Sequence, residues 1–254
     1  MPPASRLYHA DAIVLRRSDL GEADRIVTLF SREHGKFRAV AKGIRRPTSK
    51  LGGHLELFTH SRILVARGQN LDIITQAETG QSFIGLRDDV FRATFACYSA
   101  ELLDRLIVER SPDPEAFDLL LTALGRLAAE RQTEIATRLF EIQLLGHLGY
   151  RPQLHSCAGC QVTLAPGGNS FSAPAGGVLC PACSRIDPGA RPLTTNAFKI
   201  LRLLQSGDYA TAARIRLDEA LRREIERILV GYSEHIIERR VKSAEFLNSL
   251  RALG

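Results

Sequence analysis

Two pairs of cysteines constrain this chain more than any other feature. Cys157-Ala-Gly-Cys160 and Cys180-Pro-Ala-Cys183 enclose nineteen residues rich in Gly, Pro, Ser and Ala. A CxxC turn presents two sulfurs from one knuckle, and two knuckles at this separation make a tetrahedral thiolate site for zinc. Cys157, Cys160, Cys180 and Cys183 are therefore the expected metal ligands, and a small zinc module is expected where they lie. A pair of disulfides is the rival reading, disfavoured in a reducing compartment. His155 could replace one ligand, but four sulfurs already close the shell. A closed shell leaves no position for a reactive water, so the expected zinc is structural. The Cys180-Pro-Ala-Cys183 run differs from a zinc deaminase signature, because its proline lies between the cysteines and no H-x-E precedes it. The chain also lacks GxxxxGK[ST], HExxH, GxSxG and a GxGxxG opening a helix, so a binding protein is expected and not an enzyme.

On both sides of the cysteines the apolar period is helical. Val90, Phe91, Phe95, Tyr98, Leu102, Leu103 and Leu106 follow Asp88-Asp89, which can cap a helix. Cys97 falls on this stripe and reads as a buried structural thiol. Further helices are predicted from about Glu115 to Ala129, after Pro114, and from about Thr133 to Leu148, where Gly149 and Pro152 stop the pattern. Beyond the cysteines, Phe198 to Leu204 predicts a helix ended by Gly207, and Ala210 to Ile215 a short one. Asp218 to Arg240 predicts a long amphipathic helix, and the final Ser243 to Gly254 a short packed one.

The first eighty residues read differently. His9–Arg17, Asp24–Phe30, Gly35–Lys42, Leu55–Arg67 and Leu71–Ala77 are five apolar or alternating runs separated by turn residues. That count suits a small barrel of the oligonucleotide-binding (OB) kind, and SH3-like barrels fit it equally. Tyr8, Phe30, Phe37 and Phe58 are the aromatics such a barrel could offer to bases, although a small barrel needs the same side chains in its core. The expected organisation is α+β: a five-stranded OB-fold barrel over residues 1–80, then an all-helical domain in two parts, 81–150 and 193–254, with the four-cysteine zinc module inserted at 151–192.

The third run carries the chemistry of the barrel. GKFRAVAKGIRRPTSKLGG, residues 35–53, holds Lys36, Arg38, Lys42, Arg45, Arg46 and Lys50 without an acidic residue. Alternation puts Lys36, Arg38 and Lys42 on one face of a strand and Phe37, Ala39 and Ala41 on the other. Gly43, Pro47, Ser49, Gly52 and Gly53 turn the rest into a mobile, solvated loop. A cationic strand face running into a cationic loop suits a polyanion backbone, with weak sequence preference and strong salt dependence. A charged surface loop kept soluble by its lysines and arginines is the competing reading.

Charge is unevenly spread. The formal net charge is +6, composed of +5 over residues 1–80, −4 over 81–150, +2 over 151–192 and +3 over 193–254. Basic residues gather at the ends of the chain and acidic ones in the middle, which points to a polyanion partner for one face. Arg222-Arg223 and Arg239-Arg240-Lys242 could form a second phosphate-contact patch or a solvated helix face. No stretch is apolar for long enough to span a bilayer, and the first residues lack the apolar core of a secretion signal, so a cytoplasmic, nucleoid-associated protein with no membrane partner is expected.

Several blocks together resemble one family. Gly21-Glu22-Ala23-Asp24-Arg25-Ile26-Val27-Thr28-Leu29-Phe30, Arg32-Glu33-His34-Gly35, Ala41-Lys42-Gly43-Ile44-Arg45-Arg46, Leu51-Gly52-Gly53, Leu86-Arg87-Asp88, Tyr98, Glu101-Leu102-Leu103-Asp104 and His147-Leu148-Gly149-Tyr150-Arg151-Pro152 are similar to the bacterial DNA repair and recombination family RecO. The similarity covers essentially the whole chain. It implies an OB-fold barrel, a helical body and an inserted zinc module. It also implies a mediator of DNA repair and homologous recombination in the RecF pathway that binds single- and double-stranded DNA and anneals complementary strands. With RecR, and with RecF, such a protein helps RecA replace single-strand binding protein on DNA. The DNA contacts implied are Lys36, Arg38, Lys42, Arg45, Arg46 and Lys50, followed by Arg16, Arg17 and Arg25. Two alternatives stand beside this reading: a non-catalytic adaptor whose barrel docks protein partners, and a nuclease.

Overall fold

Five strands in the N-terminal region close on themselves. In the computed structural model, which describes residues 6–253, they are β1 (Leu7–Leu20), β2 (Asp24–Ser31), β3 (Gly35–Ala41), β4 (His60–Ala66) and β5 (Asp72–Gln81). The barrel order is β1-β2-β3-β5-β4, with β1 antiparallel to both β2 and β4. β3 meets β5 in parallel through Ala39–Asp72 and Val40–Ile73. This crossover gives the Greek-key closure of an OB-fold, which decides between the two barrels that the strand count left open.

The interior is filled by alternate residues of each strand. Val14, Val27, Leu29, Phe37, Ala39, Ala41, Ile63, Val65 and Ile74 are buried in one cluster. β3 alternates as expected, with Phe37, Ala39 and Ala41 inward. Several strand limits differ from the sequence reading: β1 starts at Leu7 and not at His9, and β5 runs on to Gln81 and not only to Ala77. A bulge between Val14 and Arg16 lets β1 bend and run on to Leu20, which pairs with Asp24 across a turn at Gly21. β4 starts at His60 and not at Leu55, because residues 52–54 form a 3-10 turn and Phe58 takes a φ of 65°. Leu55 is nevertheless fully buried and joins the barrel core.

Two helices complete this region: α1 (Val90–Leu106) and α2 (Pro114–Ala129). The Asp89 carboxylate accepts from the Phe91 and Arg92 amides and starts α1. Val90 and Phe91 lie in that first turn and are exposed, so the stripe that packs starts at Thr94 and Phe95 and not at Val90. Phe117 of α2 packs on Phe30 at 6.0 Å between ring centroids, and Arg32 pairs with Asp118.

The chain divides into two compact units, residues 1–129 and 130–254. The second contains α3 (Thr133–His147), β6 (Ser170–Ser172), β7 (Gly177–Leu179), α4 (Pro181–Ser184), β8 (Arg191–Pro192), α5 (Thr195–Ser206), α6 (Tyr209–Ala212), α7 (Glu219–Ile237) and α8 (Lys242–Leu253). α3, α5 and α7 pack on one another. Glu141 of α3 lies fully buried among them, 2.7 Å from Arg138, and accepts a hydrogen bond from the Ser233 hydroxyl of α7. Gly207 caps α5 with a φ of 82°. α7 stops at Ile237, short of Arg240, because Glu238 turns into the left-handed region. Among the described residues, no helix is long and apolar enough to cross a membrane.

Candidate nucleic-acid interface and metal centre

The four cysteines converge. Their sulfurs all lie within 4.8 Å of one another, and Cys160 and Cys180 are 3.8 Å apart. A tetrahedral ion with Zn–S bonds of about 2.3 Å spaces its sulfurs about 3.8 Å apart, so the cage has the right size for such an ion. Each knuckle is held by its own backbone. The Gln161 amide donates to the Cys157 carbonyl, and the Ser184 amide at the end of α4 donates to the Cys180 carbonyl. The three-stranded sheet β7-β6-β8 sets the knuckles against each other, since Ala158 donates to Val178 in β7 and Cys180 follows directly on that strand. Gly159 packs closely here: a Cβ at this position would stand 3.1 Å from the Cys183 sulfur, which would have to give by a few tenths of an ångström. His155 is exposed and lies outside the cluster.

The electrostatics favour a thiolate cage. Burial pushes the Cys157 thiol up, but amide donors from Cys160, Cys180 and Gly159 outweigh it and bring the pKa down to about 6. The Cys183 thiol is pushed up to about 12, first by hydrogen bonding with Cys160 and then with its other thiol neighbours. Four sulfurs this close cannot all ionise without a cation among them. Cys97, by contrast, is raised by burial and then by Glu101, as expected of a structural thiol.

The cationic face of the barrel is sorted by its carboxylates. Lys36 is only 14% exposed and pairs with Asp104 of α1 at 3.1 Å. Arg38 lies 3.6 Å from Glu109. Arg17 pairs with Glu56 at 2.6 Å. Asp19 receives two guanidiniums, Arg25 at 2.9 Å and Arg45 at 3.4 Å. Arg16, Lys42, Arg46 and Lys50 are exposed and have no acidic partner among the described residues. The nine basic residues thus fall into five that are paired and four that are not. The sequence carried no signal for the distant partners Asp104 and Glu109, and its reading did not name Asp19 either, although a hairpin turn at Gly21, which puts Asp19 opposite Arg25, is the signal that could have found it.

The segment after β3, whose composition suggests a mobile loop, is tied down by hydrogen bonds at its start. The Asp24 carboxylate accepts from the Gly43 amide at 2.7 Å, and the Arg45 amide donates to the Ala23 carbonyl. Ile44 is buried in the barrel core. Turn bonds from Arg46 to Gly43 and from Ser49 to Arg46 shape the remainder. Lys42, Arg45 and Arg46 are thereby fixed beside the β1–β2 hairpin. Phe30, Phe37 and Phe58 are buried, so they serve the interior and not base stacking. Tyr8 is half-buried; its hydroxyl donates to Asp72 at 2.6 Å and Arg67 lies over its ring.

Family models match both parts of the chain. The model described as the N-terminal region of recombination protein O matches residues 5–83, and that of its C-terminal region matches residues 87–245. The chain belongs to the RecO family. A protein named DNA repair protein RecO from a Roseiflexus species is 44% identical over 248 residues, covering 98% of this chain and 87% of the relative. Proteins of the same name from Symbiobacterium thermophilum and Dehalococcoides mccartyi are 41% and 37% identical, covering 97% and 96% of this chain and 98% and 96% of the relatives. RecO is thus a family of DNA repair and recombination proteins, and the four-cysteine cage and the OB-fold barrel are features of one of its members. The two RecO matches meet at the 3-10 turn Ile84–Leu86 that leads from the barrel to α1.

Proposed function

We propose that this chain is a non-enzymatic mediator of DNA repair and homologous recombination in the RecF pathway. It binds single- and double-stranded DNA through the barrel and anneals complementary strands. With RecR, and with RecF, it helps RecA replace single-strand binding protein on DNA in the cytoplasm. The observation that carries the DNA-binding step is the set of exposed cations Arg16, on β1, and Lys42, Arg46 and Lys50, on the segment after β3, which have no acidic partner among the described residues. Arg45 and Arg25 stand next to them, and Arg17 and Arg38 contribute charge from within ion pairs. Lys36 is assigned a smaller part, because it is covered and held by Asp104.

The mechanism is electrostatic. Two polyanionic strands repel each other, and a cationic surface that neutralises phosphates lowers this repulsion and releases counterions. Base pairing then supplies the free energy, so neither a covalent step nor nucleotide hydrolysis is required. Cys157, Cys160, Cys180 and Cys183 would hold a zinc ion through their four sulfurs, and the ion would supply a structural cross-link to the module that interrupts the helices.

The test is annealing of two complementary labelled oligonucleotides across a salt series without nucleotide. Acceleration that fades as salt rises supports the proposal. Binding without acceleration leaves a DNA-docking adaptor, and the absence of both makes the barrel a docking module for proteins. Metal-dependent loss of intact DNA would replace the mediator reading with a nuclease.

A further inference from the structure

Asp19 occupies an unusual position for a carboxylate. It sits at the end of β1 directly opposite Arg25 in β2, next to the hairpin turn, and is itself largely exposed. One oxygen accepts from Arg25 Nε at 2.9 Å, and the other lies 3.4 Å from Arg45 Nη1. Arg45 also donates to the Gly21 carbonyl, and its amide is fastened to Ala23. The two guanidiniums therefore converge on one small anion from two different elements, a strand and the loop after β3. That loop is independently held by Asp24 through the Gly43 amide, so its backbone does not depend on Asp19.

Two guanidiniums around one oxyanion is the arrangement in which arginines hold a phosphate. Resting on the DNA-binding reading above, we propose that Asp19 is an internal counter-ion that a DNA phosphate displaces. Arg25 and Arg45 are pre-oriented by the carboxylate and are released to the nucleic acid when a phosphate takes its place. Arg16, Lys42, Arg46 and Lys50 supply the first attraction, because no carboxylate competes for them. Exchange at Asp19 then limits how tightly a strand is held. This property suits a protein that must let go of a strand once it has paired. The exposure of Asp19 makes the exchange feasible: a surface ion pair is weak, and phosphate competes with a carboxylate for arginine on nearly equal terms.

The experiment compares wild-type protein with Asp19→Asn and Glu22→Gln, using a labelled single strand in a salt titration together with the annealing assay. Glu22 lies in the same hairpin and is exposed, so its variant makes the same change in net charge without freeing a paired arginine. Asp19→Asn is expected to tighten binding about three- to tenfold near 0.1 M salt and to steepen the slope of log affinity against log salt by about one to two. It is also expected to slow the release of annealed product, while Glu22→Gln changes binding less than about twofold. Equal effects of the two variants would overturn the proposal in favour of general net charge. Weaker binding by Asp19→Asn, with unchanged thermal unfolding, would make the carboxylate only a positioning residue for the arginines and would also overturn it. If wild-type protein does not bind the strand at all, the DNA-binding reading fails and this proposal fails with it. If wild type binds and Asp19→Asn matches it, only the displacement idea fails.

Discussion

The cysteine cage and the cationic face of the barrel both rest on a few polar side chains, but they combine them in opposite ways. In the cage four sulfurs converge within 4.8 Å, and each is useful only if the other three are present. On the barrel face the cations are spread over β1, β2, β3 and the following loop, and each makes its own contribution to a long-range field. A convergent site fails as a whole when one member is lost. A distributed site loses affinity in steps.

The strongest test of this contrast is removal of one ligand. Cys157→Ser is expected to abolish stoichiometric metal in freshly purified, reduced protein and to lower the stability of the second unit by several kcal/mol, because metal binding and folding of such modules are coupled. Metal analysis and thermal unfolding measure both. The DNA affinity of the barrel is expected to stay within about threefold of wild type, which would break the comparison if it fell further. Retention of full metal content by Cys157→Ser would show that the cage is not the metal site.

The next effect is graded. Lys42→Ala, Arg46→Ala and Lys50→Ala combined should flatten the salt slope by about three, and each single substitution by about one, since each removes one phosphate contact. An unchanged slope in the triple variant would shift the interface to the arginines of α7 and the segment that follows it. The structure makes part of that second patch less available. Arg222 pairs with Glu134 at 3.3 Å, Arg223 with Glu219 at 2.7 Å and Arg240 lies 3.8 Å from Glu245.

Much of this architecture was legible in the sequence, for reasons that differ by region. The cysteine module was readable because metal chemistry imposes spacing: CxxC twice admits few other meanings. The barrel was readable in its strand count, because alternation at Phe37, Ala39 and Ala41 follows from a period of two. Closure was not, since the β3–β5 contact joins residues more than thirty positions apart and no local pattern encodes it. The helices were readable in type, but the exposed Val90 and Phe91 show that periodicity marks a face without saying where packing begins. Which cations are free was the least legible. Lys36 and Arg38 carry the same local pattern as Lys42, and only the distant carboxylates Asp104 and Glu109 distinguish them.

That distinction yields a smaller prediction that separates charge from availability. Lys36→Ala removes a positive charge from the same strand face, yet it breaks a largely covered pair with Asp104. It should cost about 1–2 kcal/mol of stability and leave the salt slope nearly unchanged. Thermal unfolding and a salt titration read the two effects. A slope reduced by a full unit would place Lys36 in contact with phosphate and remove the difference between paired and unpaired cations.

The smallest effect concerns pH and lies at the carboxylate Asp72, within the barrel unit. Burial raises its pKa, but hydrogen bonds from the Tyr8 hydroxyl, the Arg110 guanidinium and the Gly68 amide outweigh burial and hold it below its ordinary value of 3.8. A group depressed in the folded state stabilises the fold above its unfolded pKa, and that stabilisation is lost as pH falls through the folded pKa. The barrel should therefore keep the full contribution at neutral pH and begin to lose it below about pH 4, by about 1 kcal/mol or less. Asp72→Asn should show a lower stability at pH 7 and a shallower decline under acid. The cage responds in the same direction for a different reason, since thiolates must be protonated before they release a metal. Metal release that precedes loss of barrel structure on acidification would assign the two transitions to the two regions, and simultaneous loss would mean that the regions are not independent.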